Sequence, residues 1–354
     1  MELRNAPLLA TKRDQSFFVD RDDVLDRLRE GADARLNTII YGPRGIGKTT
    51  VLSHLLYEAH TPDTESPSSR WLPVLVTGEP GTPYDFVVTA LLALADAAQA
   101  EGVLADDDGV LDRALARSRR GVIDEQSGVA LLAPLRAMAE IAERLRADAI
   151  QPVLLIDGVA GPAVAMTVFG RMRDELWGIG ATWVLAADGA LRERLREPPA
   201  DVFFERDLEL PPLSPEASRE LVRARIGPED EALDDATLDH IVRLSEGVPR
   251  SLVTLTRAVV AGGSLRDAEE REAQLAERLQ TVSAPARRLA GLLRERGGSG
   301  QATDEDLQWQ LGWKPSRLRQ VFQELESAGV VESAPSPGGR PGRPSKTYRL
   351  RSVT

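Results

Sequence analysis

Apolar positions recur along the chain in two rhythms. Largely apolar runs near 38–41, 71–77, 152–156 and 181–187 predict buried strands of a parallel sheet, and 202–210 reads as a fifth strand. Between them, apolar residues spaced three and four apart predict helices. The first places Val24, Leu25 and Leu28 inward, with Asp20 or Asp22 as its cap, and others follow over 49–59, 85–98 and 164–177. A long one over 129–147 sets Leu132, Leu135, Met138, Ile141, Ala142 and Leu145 on one face. Such alternation predicts an α/β fold. Residues 61–69, rich in Pro, Ser and Asp, read as an exposed loop, and 101–128 as an inserted segment without a clear period.

The rhythm changes at Pro211-Pro212-Leu213-Ser214-Pro215, where Ser214 is a helix cap and Pro215 the first helical position. Helical patterns at 216–225, 235–246, 250–260 and 264–280 then predict a small all-α domain. A third pattern starts at Ser283. It consists of a helix over 286–296, a flexible turn over 297–301, and a helix opened by the capping box Thr303 to Asp306 and ended at Leu311. A helix over 315–328 follows, with Leu318, Val321, Phe322 and Leu325 inward, and then strands at 330–332 and 347–350. Three helices and a hairpin in this order predict a winged helix-turn-helix whose recognition helix is 315–328. The expected domains are 1–212, 213–282 and 283–354.

Composition excludes some chemistry. Without cysteine there is no disulfide or thiolate metal site, and His54, His60 and His240 have no ligand spacing. No targeting segment is evident, and the apolar stretch 86–95 between Asp85 and Asp96 is too short to span a bilayer, so the expected location is cytoplasmic. The net charge of −11 is unevenly spread: 283–354 carries 12 Lys and Arg against 7 Asp and Glu. That basic tail makes double-stranded DNA the expected partner. Lys314, Ser316, Arg317, Arg319 and Gln320 would face the major groove, where Arg and Gln read guanine and adenine edges. Arg340 and Arg343, beside prolines, and Lys346 belong to the wing and suit a narrow minor groove. Trp309 and Trp313 read as core packing.

The strongest chemical signal follows the first strand. Gly42-Pro43-Arg44-Gly45-Ile46-Gly47-Lys48-Thr49 fits G-x4-G-K-[ST], with Thr50 continuing into a helix. Glycines let successive N–H groups converge, the helix start adds its positive dipole end, Lys48 would reach the β- and γ-phosphates, and Thr49 would ligate Mg²⁺. This pattern predicts binding of a nucleoside triphosphate. Pro152-Val153-Leu154-Leu155-Ile156-Asp157 is a central strand presenting a carboxylate at its end, suited to holding Mg²⁺.

The loop, the F-x-x-R-[DE] segment from Phe18 to Asp22, the Leu213-Ser214-Pro215-Glu216 entrance and Gly247-Val248-Pro249-Arg250 together resemble AAA+ ATPases. The resembling branch is that of origin-recognition and cell-division-control initiators and their bacterial relatives, and the likeness covers nearly the whole chain. It implies a P-loop base, an all-α lid and a C-terminal winged helix. It further implies that Phe18, Val19 and Arg21 line the base pocket and that Asp157 is the Walker B aspartate. Asp188 would be a γ-phosphate sensor at a strand tip and Arg250 a second sensor on the lid. For Arg192, Arg194, Arg196 and Arg206 two readings stay open, a solvated helix face or a finger reaching a neighbouring subunit's nucleotide, and no Ser-Arg finger motif is present. The sequence departs from the family after Asp157, where Gly158 replaces the usual catalytic acid; Glu79 and Glu175 are the only substitutes in view. The resemblance therefore implies an ATP-regulated DNA-binding switch with weak or partner-dependent ATPase activity. The alternative is a self-assembling signalling or defence ATPase whose winged helix contacts protein.

Overall fold

A computed structural model describes residues 3, 7–60, 70–78, 80–105, 108–121, 129–159, 161–226, 233–262, 265, 274–275, 277–295, 298–304, 307–308, 311–335 and 346–351. The chain divides into two compact units. One is Ala6–Gly42 with Gly47–Pro211, and the other is Met1–Asn5, Pro43–Ile46 and Pro212–Thr354.

The first unit holds a five-stranded sheet of β1 (Thr38–Tyr41), β2 (Arg70–Val76), β3 (Ile150–Ile156), β4 (Thr182–Ala187) and β5 (Arg206–Glu209). Every pairing is parallel and the order is β2-β3-β4-β1-β5. All of β3 and β4 is buried, which is why both read as continuous apolar runs. This is the P-loop NTPase base that the sequence predicts. Its helices are α1 (Lys12–Gln15), α2 (Asp22–Asp33), α3 (Lys48–Ala59), α4 (Pro83–Ala100), α5 (Val110–Gly121), α6 (Val129–Ala147), α7 (Pro162–Ala165), α8 (Arg173–Ile179) and α9 (Gly189–Leu195). Among the described residues no helix is long and apolar enough to cross a membrane.

Several expectations need correction. The segment 101–128 contains α5, whose buried Val110 and Ala114 pack into the main core; alanine gives too weak an apolar signal to reveal the period. Leu132 is 39% exposed rather than inward. Neither Asp20 nor Asp22 caps α2: Arg21 occupies the cap position in a left-handed conformation, and the Asp20 carboxylate accepts from its N–H at 2.9 Å. The helix expected over 164–177 is interrupted by a π-helical turn, Met166–Arg171. The fifth strand begins only at Arg206, because Phe203 leaves the strand path to plug the core.

That core closes around Phe169. Its ring lies 5.6 Å from Phe86, 6.4 Å from Trp183, 5.4 Å from Phe203 and 5.0 Å from Phe204.

The second unit contains α10 (Pro215–Ile226), α11 (Asp235–Ser245), α12 (Pro249–Val260), α13 (Ala284–Glu295) and α14 (Pro315–Ser327). Ser214 caps α10 as expected, accepting from Ala217 N at 3.1 Å. A three-stranded antiparallel sheet, ordered β6-β8-β7, comprises β6 (Ser299–Gln301), β7 (Val331–Pro335) and β8 (Lys346–Leu350). Leu289, Leu293, Leu307, Leu318, Phe322 and Tyr348 form its core, with Phe322 stacked on Tyr348 at 4.3 Å. The stretch expected to be a flexible turn is therefore partly strand. The cap before Leu307 is Asp304, which accepts from Leu307 N at 3.2 Å, rather than Thr303; Asp306 lies outside the described residues.

Phe169→Ala is expected to lower unfolding free energy by about 3–5 kcal/mol, the usual cost of emptying a filled aromatic site. Urea denaturation checks this, and a loss under ~1 kcal/mol would show that the aromatic cluster does not close the core.

Candidate functional site

In the first unit the loop leaves β1 and returns at Gly47, the left-handed N-cap of α3 with φ 106° and no side-chain cap. No side-chain oxygen thus competes for the first N–H groups of α3, and such a helix start favours anions. Lys48 Nζ donates to Gly42 O at 2.7 Å, folding the lysine back over the loop, and Thr50 follows half-buried in the first helical turn. Thr49 Oγ1 donates to Asp157 Oδ1 at 2.8 Å, so the two residues expected at Mg²⁺ are in contact. Both offer hard oxygen ligands, and among the described residues no group of three or more His, Cys, Asp or Glu could hold a metal by itself. A two-residue site fits Mg²⁺, which keeps waters and takes phosphate oxygens for the rest of its shell.

Gly158 follows with φ 94°, and a Cβ built there would meet nothing within 4 Å. Space is not the obstacle to an acid at this position; the left-handed backbone is. Glu175 is exposed on α8, and Glu79 lies outside the described residues. Asp188 caps α9, accepting from Leu191 N at 2.8 Å. The arginines weighed as fingers are engaged within their own unit. Arg192 and Arg196 meet Asp207, Arg194 meets Glu197, and Arg206 meets Glu30 at 3.3 Å.

On the expected base side, the Phe18 ring stacks on His54 at 3.8 Å and 10°. His54 Nδ1 lies 2.7 Å from Gln15 Oε1, and its Nε2 lies 3.3 Å from Glu58, which also receives Arg29 at 2.6 Å. Burial raises the Glu58 pKa, but hydrogen bonds from His54 and Arg29 outweigh it and hold the carboxyl below its ordinary range. Val19 is half-buried, whereas Arg21 is buried at φ 86° with its guanidinium on Pro211 O. Burial lowers the Arg21 pKa and Asp20 partly opposes it. Sequence reading missed Gln15, Arg29, His54 and Glu58. They come from three different helices, and only His54 and Glu58 share a short spacing, one turn apart on α3.

In the second unit the loop tip Pro43–Ile46 has an exposed Arg44 and a fully buried Ile46. Gly45 O accepts from Arg250 N at 3.3 Å. Loss of hydration, reinforced by the Arg44 charge, lowers the Arg250 pKa. Gly247 has φ 72°, and a Cβ there would lie 2.3 Å from Leu213 O, so only glycine fits.

Lys314, Ser316, Arg317, Arg319 and Gln320 are all exposed on or beside the start of α14. Arg317 donates to Gln320 at 2.8 Å and lies 5.9 Å over the ring of Trp313, itself packed against the core. Lys346 is 3.5 Å from Glu326. Arg340, Arg343 and Trp309 lie outside the described residues.

No protein-family model matches the chain, and no curated protein matches it. Among solved structures, it is similar to the Orc1 protein of Aeropyrum pernix in complex with DNA. Identity is 18%, TM-score 0.47, and coverage 96% of this chain and 93% of that one. It is also similar to Cdc6p from Pyrobaculum aerophilum, at 14% identity and TM-score 0.43, covering 96% and 94%. The RuvB Holliday junction branch migration motor of Thermotoga maritima gives 17% identity and TM-score 0.40, covering 97% and 95%.

The Glu58 cluster sets an acid-side dependence. Its folded pKa lies below the ordinary 4.5, so its contribution is present above pH 4.5 and is lost as pH falls through the lower folded value. Stability curves of the wild type and Glu58→Gln are expected to converge below pH 4.5. Curves that stay parallel across the whole acid range in which both proteins remain folded would contradict this.

Proposed function

We propose that the chain is an ATP-binding AAA+ switch that turns its nucleotide over slowly and grips double-stranded DNA through a C-terminal winged helix under nucleotide control. The Thr49–Asp157 contact beside the glycine loop carries this reading, because it pairs the two metal-facing groups that a triphosphate site requires. Lys48 neutralises the β- and γ-phosphates, and the N–H groups opening α3 hold the chain of phosphates. Thr49 and Asp157 would hold Mg²⁺, which would supply positive charge to offset that of the phosphates. Gly158 offers no side chain to orient water, and loss of a general base typically slows such reactions about 10²–10⁴-fold.

The exposed cationic and amide groups of α14 support DNA as the partner, with Arg317 and Arg319 as its principal contacts. The test is fluorescence anisotropy of a labelled duplex at two salt concentrations, with ATP, ADP and no nucleotide. Affinity is expected to fall with salt, to drop at least ~10-fold in Arg317→Ala/Arg319→Ala, and to differ between ATP and ADP. Equal affinity in all three nucleotide states removes the switch. No binding at low salt, with ATP-driven growth in mass, would favour the assembling ATPase with a protein-contacting winged helix.

A further inference from the structure

We infer that the main chain of Gly45 positions Arg250, so that the phosphate loop itself, rather than the arriving nucleotide, sets where this arginine stands. The inference deepens the nucleotide-site reading and rests on it for its functional meaning.

Helix α12 is poorly equipped to cap itself. Its first residue, Pro249, has no N–H, and its N-cap, Val248, is extended at φ −83° and ψ 115° with no side-chain cap. Leu252 N reaches back to Val248 O at 3.0 Å, leaving the Arg250 N–H in need of an acceptor. Gly45 O supplies it at 3.3 Å. A capping Ser, Thr, Asp or Asn gives its side-chain oxygen to an amide at this second or third helical position. Here a carbonyl from the loop does so, with the favourable end of the helix dipole facing it.

The side chain is fixed by the same neighbour. A Cβ at Gly45 would lie 2.8 Å from Arg250 Cβ, 3.3 Å from its Cδ and 3.5 Å from its Nε, so the arginine stem packs over space that only glycine leaves open. On the N-terminal side, Gly247 O accepts from Leu213 N at 2.8 Å, which anchors the turn entering α12. Two independent restraints thus hold Arg250 at the loop tip. Gly45 is a positioning residue and acts through Arg250.

The test is amide hydrogen exchange across residues 248–255, read first on the nucleotide-free chain. The wild-type Arg250 amide is expected to exchange at least about fivefold slower than an unprotected amide, the factor a typical cap supplies. Gly45→Ala is expected to abolish that protection. Arg250→Ala, which keeps the amide, preserves it. Val248→Asn in the Gly45→Ala background gives α12 its own cap and restores slow exchange, without restoring any preference for a fluorescent ATP analogue over the ADP analogue. An unprotected Arg250 amide in the wild type overturns the proposal without recourse to any variant. So does a Gly45→Ala chain that stays protected, or one that Val248→Asn does not rescue. Failure of the nucleotide reading shows separately, as a wild-type chain that takes up neither analogue.

Discussion

Thr49 and Asp157 meet at 2.8 Å although they stand on different strand–helix units of the sheet. That contact depends on β1 and β3 both pairing in parallel with β4, which brings their carboxyl ends to one edge. It depends equally on the glycines that turn the chain sharply enough for α3 to start beneath β1. A shift in either register would separate the hydroxyl from the carboxylate. The buried sheet, the aromatic cluster around Phe169 and the long α6 keep that edge in place.

Arginine is divided between two kinds of work. Around α9 and β5 it is matched with Asp207, Glu197 and Glu30, forming ion pairs that stitch neighbouring segments of one unit. Partly exposed pairs of this kind contribute little stability each. At the loop tip, Arg44 lies close enough to Arg250 to lower its pKa.

Much of the base was legible because physics leaves a plain mark on it. Buried parallel strands need continuous apolar runs, as at β3, and α6 shows the expected bounds and all but one of its inward residues. Elements without such a mark were lost. The only buried residue of β6 is Gly300, which fits because a Cβ would strike Leu307 and Leu293. The Val202–Phe203–Phe204 run looks like strand, yet Phe203 and Phe204 serve the aromatic core before β5 begins. At the site, the glycine loop and Asp157 were readable from local spacing. The Phe18–His54 stack and its Gln15 and Arg29 partners were not, since tertiary packing brings them to the local His54–Glu58 pair of α3. The capping of α12 by Gly45 was hidden for the same reason.

The most direct measurement is calorimetric titration of ATP with Mg²⁺ into the wild-type chain and into Lys48→Ala. Saturable wild-type binding with Kd on the order of micromolar is expected, weakened at least ~10-fold by the substitution. Absence of wild-type binding up to ~1 mM ATP, or equal affinity in the two proteins, would contradict it.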